Sequence, residues 1–245
     1  MSRRARHVHL RFSVRAGLEV VIPMDFDPSE IPDLLTARAE WIADAARQIE
    51  AQRALADPSP ADRLPAQVSL RALGETWNVE LRPSKATRLT LREAAEHRLI
   101  VSGPLHEDAR WRRALKRWVA RRARLELARW AEREAETHGL PRVDLAVRWQ
   151  RARWGSCSRR SGSQRPTLSL NAGLLFLPPH LARYVILHEL CHTQRMDHSP
   201  AFWNALQRVE PAAPALREEL HGAWPYIPSW VDPPAPPVDA DVDRP

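Results

Sequence analysis

Cysteine is almost absent from this chain: Cys157 and Cys191 are the only two in 245 residues. Their scarcity excludes a disulfide framework and a four-cysteine zinc ribbon within the chain. Lysine is nearly as scarce, with Lys85 and Lys116 alone, so the net charge of +7 rests almost wholly on arginine. An arginine-for-lysine bias follows from base composition and by itself says nothing about function. A basic surface does attract phosphates and nucleic acid non-specifically, which makes nucleic acid a possible partner. No run of about eighteen apolar residues occurs, so no membrane-spanning helix is expected. Nor does an apolar segment follow the basic residues of MSRRARHVHLRF, as a secretory leader would require. We expect an unexported, cytoplasmic protein with no membrane partner. With 44% hydrophobic residues, the chain can bury one or two proper cores.

What is present is one stretch that specifies a chemistry, VILHELCHTQRMDHSPAFW at residues 185–203. It contains HELCH, an H-E-x-x-H motif. Residues four apart lie one above the other on a helix, so His188 and His192 can aim two imidazole nitrogens at one metal ion. Glu189, rotated by about 100° from His188, reaches an activated water without being a ligand. Leu181, Tyr184, Val185, Ile186, Leu187 and Leu190 make the segment apolar nearly all round, which marks a buried helix. Two histidines and a glutamate in such a helix need partners, and a metal serves both imidazoles. The competing reading is two core histidines bonded to backbone carbonyls. Cys191 is offset from the histidine face and reads as a small buried thiol.

Catalytic zinc sites have three protein ligands and one open position, so a third ligand is needed. His198 is the nearest candidate. Were the helix to continue, its six residues at about 1.5 Å each would carry His198 roughly 9 Å beyond His192. The chain must therefore turn back. Polar Thr193-Gln194-Arg195 ends the apolar run, and Ser199-Pro200 reads as an N-cap followed by proline at the first position of a new helix. Phe202, Trp203, Leu206 and Val209 give that helix an apolar face. Glu210, at its far end, is the rival third ligand.

The rest of the chain reads as an α+β scaffold. Residues 7–22 alternate apolar and polar around Ala16-Gly17, as in a β-hairpin. Residues 28–52 read as one helix whose buried stripe is Ile31, Leu34, Leu35, Ala39, Trp41, Ile42, Ala45 and Ile49. After a loop at 56–65, QVSLRAL, TWNVELRP and RLIVSG read as strands, with turns at Gly74 and Pro83. His7, His9 and His97 in this half are read as solvated or strand-edge histidines. Residues 107–138 form one long helix, ended by Gly139-Leu140-Pro141. Trp111, Leu115, Trp118 and Leu125 should pack it on the core, and Trp130 and Trp149 are also read as packing residues. Arg113, Arg117, Arg121 and Arg124 run along another face, read as solvated in preference to a phosphate-tracking groove. VDLAVRW and PTLSLN alternate with period two and read as strands of a small sheet against the motif helix, a zincin arrangement. Residues 212–222 suggest a last short helix, and the proline-rich acidic end cannot order itself. The expected division is a β-rich mixed subdomain with one helix at 1–105, a zincin-like metal-binding catalytic domain at 106–228, and a disordered tail at 229–245.

HELCHTQRMDHSPAFW, with RWGSCS at 153–158 and LSLNAGLL at 168–175, resembles the YgjP-like metallopeptidase family, a relative of the SprT-like zinc proteases. The resemblance runs from about residue 10 to about residue 222 and is specific in the second half. It implies one zinc ion per chain, bound by His188, His192 and His198, with Glu189 as general base. It also implies that Arg153, Trp154, Gly155 and Ser156 border the cleft and bind substrate. The spacing equals that of the metzincin motif, but Arg195 stands where metzincins carry the glycine of their turn, and that assignment is rejected.

Two enzymatic readings follow from the residues themselves. A zinc metallopeptidase would use Glu189 as base on a peptide substrate, with Tyr184 either an oxyanion donor or a core tyrosine. A metal-dependent phosphohydrolase would turn the same chemistry on nucleoside triphosphates, cupped by Arg151, Arg153, Arg159, Arg160 and Arg165. A nucleic-acid-binding protein with a structural zinc is the third reading. It needs a fourth protein ligand, and none is evident near His198.

Overall fold

In the computed structural model, the described residues are 9–13, 17–22, 26–40, 42–43, 46–47, 64–82, 84, 86–103, 108–159 and 162–231. The chain opens with the expected hairpin, β1 (His9–Ser13) antiparallel to β2 (Gly17–Val21), with Leu10 opposite Val20 and Phe12 opposite Leu18. Asp27 then starts a helical segment by accepting the Ser29 N–H at 2.9 Å. A 3₁₀ turn at Pro28–Glu30 leads into α1 (Ile31–Ala37). Helix α1 is shorter than the alternation suggested, because Arg38 leaves helical geometry at φ −116°. Further helical residues follow at 39–40, 42–43 and 46–47. None of α1 is fully buried; Ile31, Leu34, Leu35 and Ile42 are partly buried, and Ala39 is exposed. Trp41, Ala45 and Ile49 lie outside the described residues.

Four strands follow instead of three: β3 (Gln67–Leu70), β4 (Glu75–Arg82), β5 (Thr90–Ala94) and β6 (Arg98–Ser102). Their order is β3-β4-β6-β5, with β4 and β6 parallel and the other pairs antiparallel. Strand β5 is not evident from the sequence because it is an edge strand with no fully buried position, so its apolar alternation is faint. Gly74 takes a left-handed φ of 66° at the bend into β4. At the β5–β6 turn two non-glycine residues, Glu96 and His97, also have positive φ, and the His97 ring sits edge-on to Trp77 at 4.8 Å.

The long helix α2 (Asp108–Thr137) has thirty residues and so extends about 45 Å. Its buried stripe is Trp111, Leu115, Trp118, Val119, Ala123, Leu127, Ala131 and Ala135. Leu125 is 47% exposed and is not part of it. Leu127 and the small Ala123, Ala131 and Ala135 carry the second half of the stripe, so the large residue at 125 was a misleading guide. Arg113, Arg117, Arg121 and Arg124 are exposed along the outer face. The sheet is fastened to α2 by polar anchors as well as apolar contact. Arg122 donates to both Glu75 oxygens at 2.6 and 2.8 Å, and the Trp118 indole N–H donates to Glu93 at 2.8 Å. Gly139, at φ 61°, closes the helix, and the Leu140 N–H returns to the Ala135 carbonyl at 2.8 Å.

A second sheet then forms from β7 (Asp144–Arg148), β8 (Gly155–Ser158) and β9 (Thr167–Asn171), in the order β7-β9-β8. Strand β7 is parallel to β9, and β8 is the antiparallel end strand. Strand β8 lies in the segment that separates VDLAVRW from PTLSLN, where the sequence alone showed no strand. After a 3₁₀ turn at Ala172–Phe176 come α3 (Pro179–Cys191), α4 (Pro200–Val209) and α5 (Ala213–His221). Helix α3 packs against α2, α4, α5 and β8.

One hydrophobic cluster joins Val68, Trp77 and Leu99 of the first sheet to α2, the second sheet and α3. The two parts expected to divide at 105–106 thus share a core. That core also continues past the expected start of the tail. Trp230 and Val231 are buried, and the Val231 carbonyl accepts the Lys116 ammonium at 3.0 Å. Among the described residues, no helix is long and apolar enough to cross a membrane.

Candidate metal centre and active site

Helix α3 is buried from Leu181 to Cys191 except at Arg183, so its polar side chains must find partners inside the protein. It ends where the second motif histidine stands. The His192 N–H reaches back to the His188 carbonyl at 3.3 Å, and the Thr193 hydroxyl donates to the Leu190 carbonyl at 2.6 Å. The chain then reverses, as the distance to His198 demanded. Ser199 holds the N-cap position of α4, but its hydroxyl donates to Asp197 at 2.8 Å and caps no helical N–H.

The reversal brings three imidazoles to one point. The Nε2 atoms of His188, His192 and His198 lie 3.1 to 3.3 Å from one another. Three nitrogens so arranged cannot all be satisfied by hydrogen bonds among themselves, since neutral imidazole has one donor and one acceptor. The edge of a tetrahedron around an ion bonded to nitrogen at about 2.0–2.1 Å is about 3.3–3.4 Å, so the triangle fits a tetrahedral cation with one vertex left open. Around His192 the orientation is fixed: its Nδ1–H donates to the Arg195 carbonyl at 2.8 Å, which leaves Nε2 as the lone-pair nitrogen. Phe202 is the floor of the site. Its ring stacks on His192 at 4.4 Å and meets His188 and His198 edge-on at 5.0 Å.

Burial, and then the neighbouring His192 and His198, push His188 well below the ordinary imidazole range. Burial also lowers His192, against the opposing pull of the Arg195 carbonyl. Both are therefore neutral near pH 7, as ligands must be. Among the described residues no fourth histidine, cysteine, aspartate or glutamate joins the group.

Glu189 is 3% exposed and lies against Gly155 of β8. Burial pushes its carboxyl up to about 8, while the Arg153 charge pulls the other way. Arg153 itself is exposed, and Ser156 is half-buried in β8. Trp154 is 2% exposed and stacks on Trp224 at 4.1 Å, beneath the strand. Glu210, the rival ligand, points away from the imidazoles and pairs with Arg183, which also donates to Glu134 at 3.0 Å. The Tyr184 hydroxyl is buried without a hydrogen-bond partner among the described residues, and burial pushes it to about 12. Cys191 is 1% exposed, its thiol raised to about 11 by burial. Of the arginines around β8, Arg151, Arg153, Arg159 and Arg165 are exposed. Arg159 donates to the Thr193 carbonyl at 3.3 Å, and Arg160 lies outside the described residues.

Asn171 is a positioning residue that sequence reasoning does not single out. It is 1% exposed and donates to the Gln150 and Arg153 carbonyls, each at 3.0 Å, while accepting the Gly173 N–H at 3.0 Å. It thereby pins the chain that enters β8. The available signal was a lone amide at the end of an apolar strand, which has to be satisfied inside.

No curated protein matches the sequence. Among solved structures, the crystal structure of the metallopeptidase zymogen of Pyrococcus abyssi abylysin is similar at 24% identity over 37% of this chain and 88% of that one, with a TM-score of 0.33. The sequence profile of the YgjP-like metallopeptidase domain matches residues 6–223, from the first hairpin through the histidine segment and α5. With so much of its length matched, the chain belongs to the YgjP-like metallopeptidase family and is a metal-dependent hydrolase.

Proposed function

We propose that the protein is a zinc-dependent peptidase, with one zinc per chain held by His188, His192 and His198 and Glu189 as general base. The observation that carries this reading is the convergence of three Nε2 atoms within 3.3 Å of each other, beside a buried carboxyl. A zinc ion there supplies Lewis-acid polarisation of the scissile carbonyl and acidifies water. Glu189 takes a proton from the attacking water and passes it to the leaving amine. Arg153 borders the approach to Glu189. Strand β8, at the end of its sheet, offers backbone groups along which an extended peptide can lie without side-chain reading.

The phosphohydrolase alternative would use the exposed arginines around β8, of which Arg159 is engaged with the Thr193 carbonyl at 3.3 Å. A structural zinc is disfavoured by the three-residue ligand set. The test is a screen of the zinc-loaded protein against denatured proteins, peptides and nucleoside triphosphates. Cleavage of proteins or peptides is the expected result, and hydrolysis of triphosphates alone would overturn the proposal.

A further inference from the structure

Glycine weakens a strand, and β8 begins with one. Backbone conformation gives no reason for it. The glycines with left-handed φ are Gly74, Gly103, Gly139 and Gly162; Gly155 is not among them, and its strand geometry suits any residue. Its surroundings supply the reason. A β-carbon at 155 would lie 2.6 Å from Glu189 Oε1, 2.7 Å from Cγ and 2.9 Å from Cδ, and these are the three nearest atoms. All three contacts are shorter than van der Waals distance, and all are with one side chain. The backbone on both sides is held. Trp154 is locked under Trp224, the Arg153 carbonyl accepts from Asn171, and residue 155 is paired with Leu170 of β9. The strand cannot retreat, so an added methyl group would displace the carboxyl.

We propose that Gly155 is a positioning residue for the catalytic base: the β-carbon it lacks is the space in which the Glu189 carboxyl is held. This rests on the assignment of Glu189 as base. Two neighbouring features agree with it. Glu189 is 3% exposed, so a displaced carboxyl has little nearby solvent to enter. Alternation along β8 puts Cys157 on the same side as Gly155 and Ser156 on the opposite side.

The experiment is a double-mutant cycle on the full-length metal-loaded protein. Gly155→Ala is made alone and in a Glu189→Ala background, where Cγ, Cδ and both carboxyl oxygens are gone. Metal content, melting temperature and peptide hydrolysis are measured for each variant. Alone, Gly155→Ala should keep its metal, melt lower by about 4 °C or more, and lose about tenfold or more in kcat with KM nearly unchanged. In the Glu189→Ala background the same change should leave the melting temperature unchanged or raise it, as glycine-to-alanine does where space permits. Pairing Gly155→Ala with Glu189→Asp, one methylene shorter, should recover part of the melting temperature. If Gly155→Ala fails to fold, restored folding in the Glu189→Ala background supports the clearance role and continued misfolding overturns it. An equal melting loss in both backgrounds, or an undiminished kcat, also overturns it. An inactive parent protein would count against the peptidase reading, and the melting cycle would still decide the role of Gly155.

Discussion

Glu189 is a carboxyl sealed between a helix and a strand, and its proton equilibrium follows from that. Burial raises its pKa from an ordinary 4.5 to about 8, so the native metal-free protein holds a proton that the unfolded chain has released. This contribution to stability is complete below pH 4.5 and is lost as pH rises through about 8. His188 and His192 act in the opposite sense, because their values are depressed from 6.5, and their effect is finished above that pH. Between pH 6.5 and 8 the proton held by Glu189 governs the contribution of these three groups. Denaturant titrations of chelator-treated protein should show stability falling over that window by about 2 kcal/mol in all. Glu189→Gln should flatten the fall, and a wild-type slope in that variant would mean that another group is responsible. At this scale the motif was legible, since spacing of four on a helix fixes the His188–His192 relation before any fold is known. Gly155 and Asn171 were not, because their roles exist only where β8, β9 and α3 meet.

The elements that present His198 are held by an ion-pair cluster. Arg183 of α3 reaches Glu134 of α2 and Glu210 at the end of α4, and the Trp130 indole N–H also donates to Glu134 at 3.2 Å. This joins three helices on the side of α3 away from the metal ligands. The Glu134 and Glu210 side chains are 12% and 13% exposed, but Arg183 is 34% exposed, so solvent weakens the cluster. Glu210→Ala should therefore cost about 1–2 kcal/mol by chemical denaturation while zinc content stays at one per chain. His198→Ala should do the reverse, losing zinc with little effect on the metal-free fold. Elemental analysis of the two variants separates the ligand from the brace; zinc loss in Glu210→Ala alone would exchange their roles. The helices around this cluster were readable from caps and apolar spacing. Strand β8 was not, being four residues long in a run of polar and basic positions. The α2 stripe was misjudged because, besides Leu127, it is Ala123, Ala131 and Ala135 that make its close contacts while Leu125 faces outward.

Over the whole molecule the core runs from the first sheet to the last turn, without a break at the expected domain boundary. Its far end is Trp230, wholly buried against Phe176 at 6.0 Å. Composition alone placed this residue in the tail, since its neighbours are proline and aspartate; burial of one indole outweighs that local bias. Trp230→Ala should cost about 3–5 kcal/mol, and truncation after Pro228 should cost at least as much. A melting curve unchanged by either would return Trp230 to the tail. Fold class and site were legible together because the same buried helix supplies both. The meeting of the two sheets in one core was not, since it depends on long-range packing along α2. The central claim is that this packing holds three imidazoles and one carboxylate ready for hydrolysis of peptide bonds. It is tested most directly by the Glu189→Gln variant, nearly isosteric and no longer a base, assayed for zinc and for peptide cleavage. The expected result is full zinc occupancy with turnover reduced about a hundredfold or more, and unchanged turnover at full occupancy would contradict it.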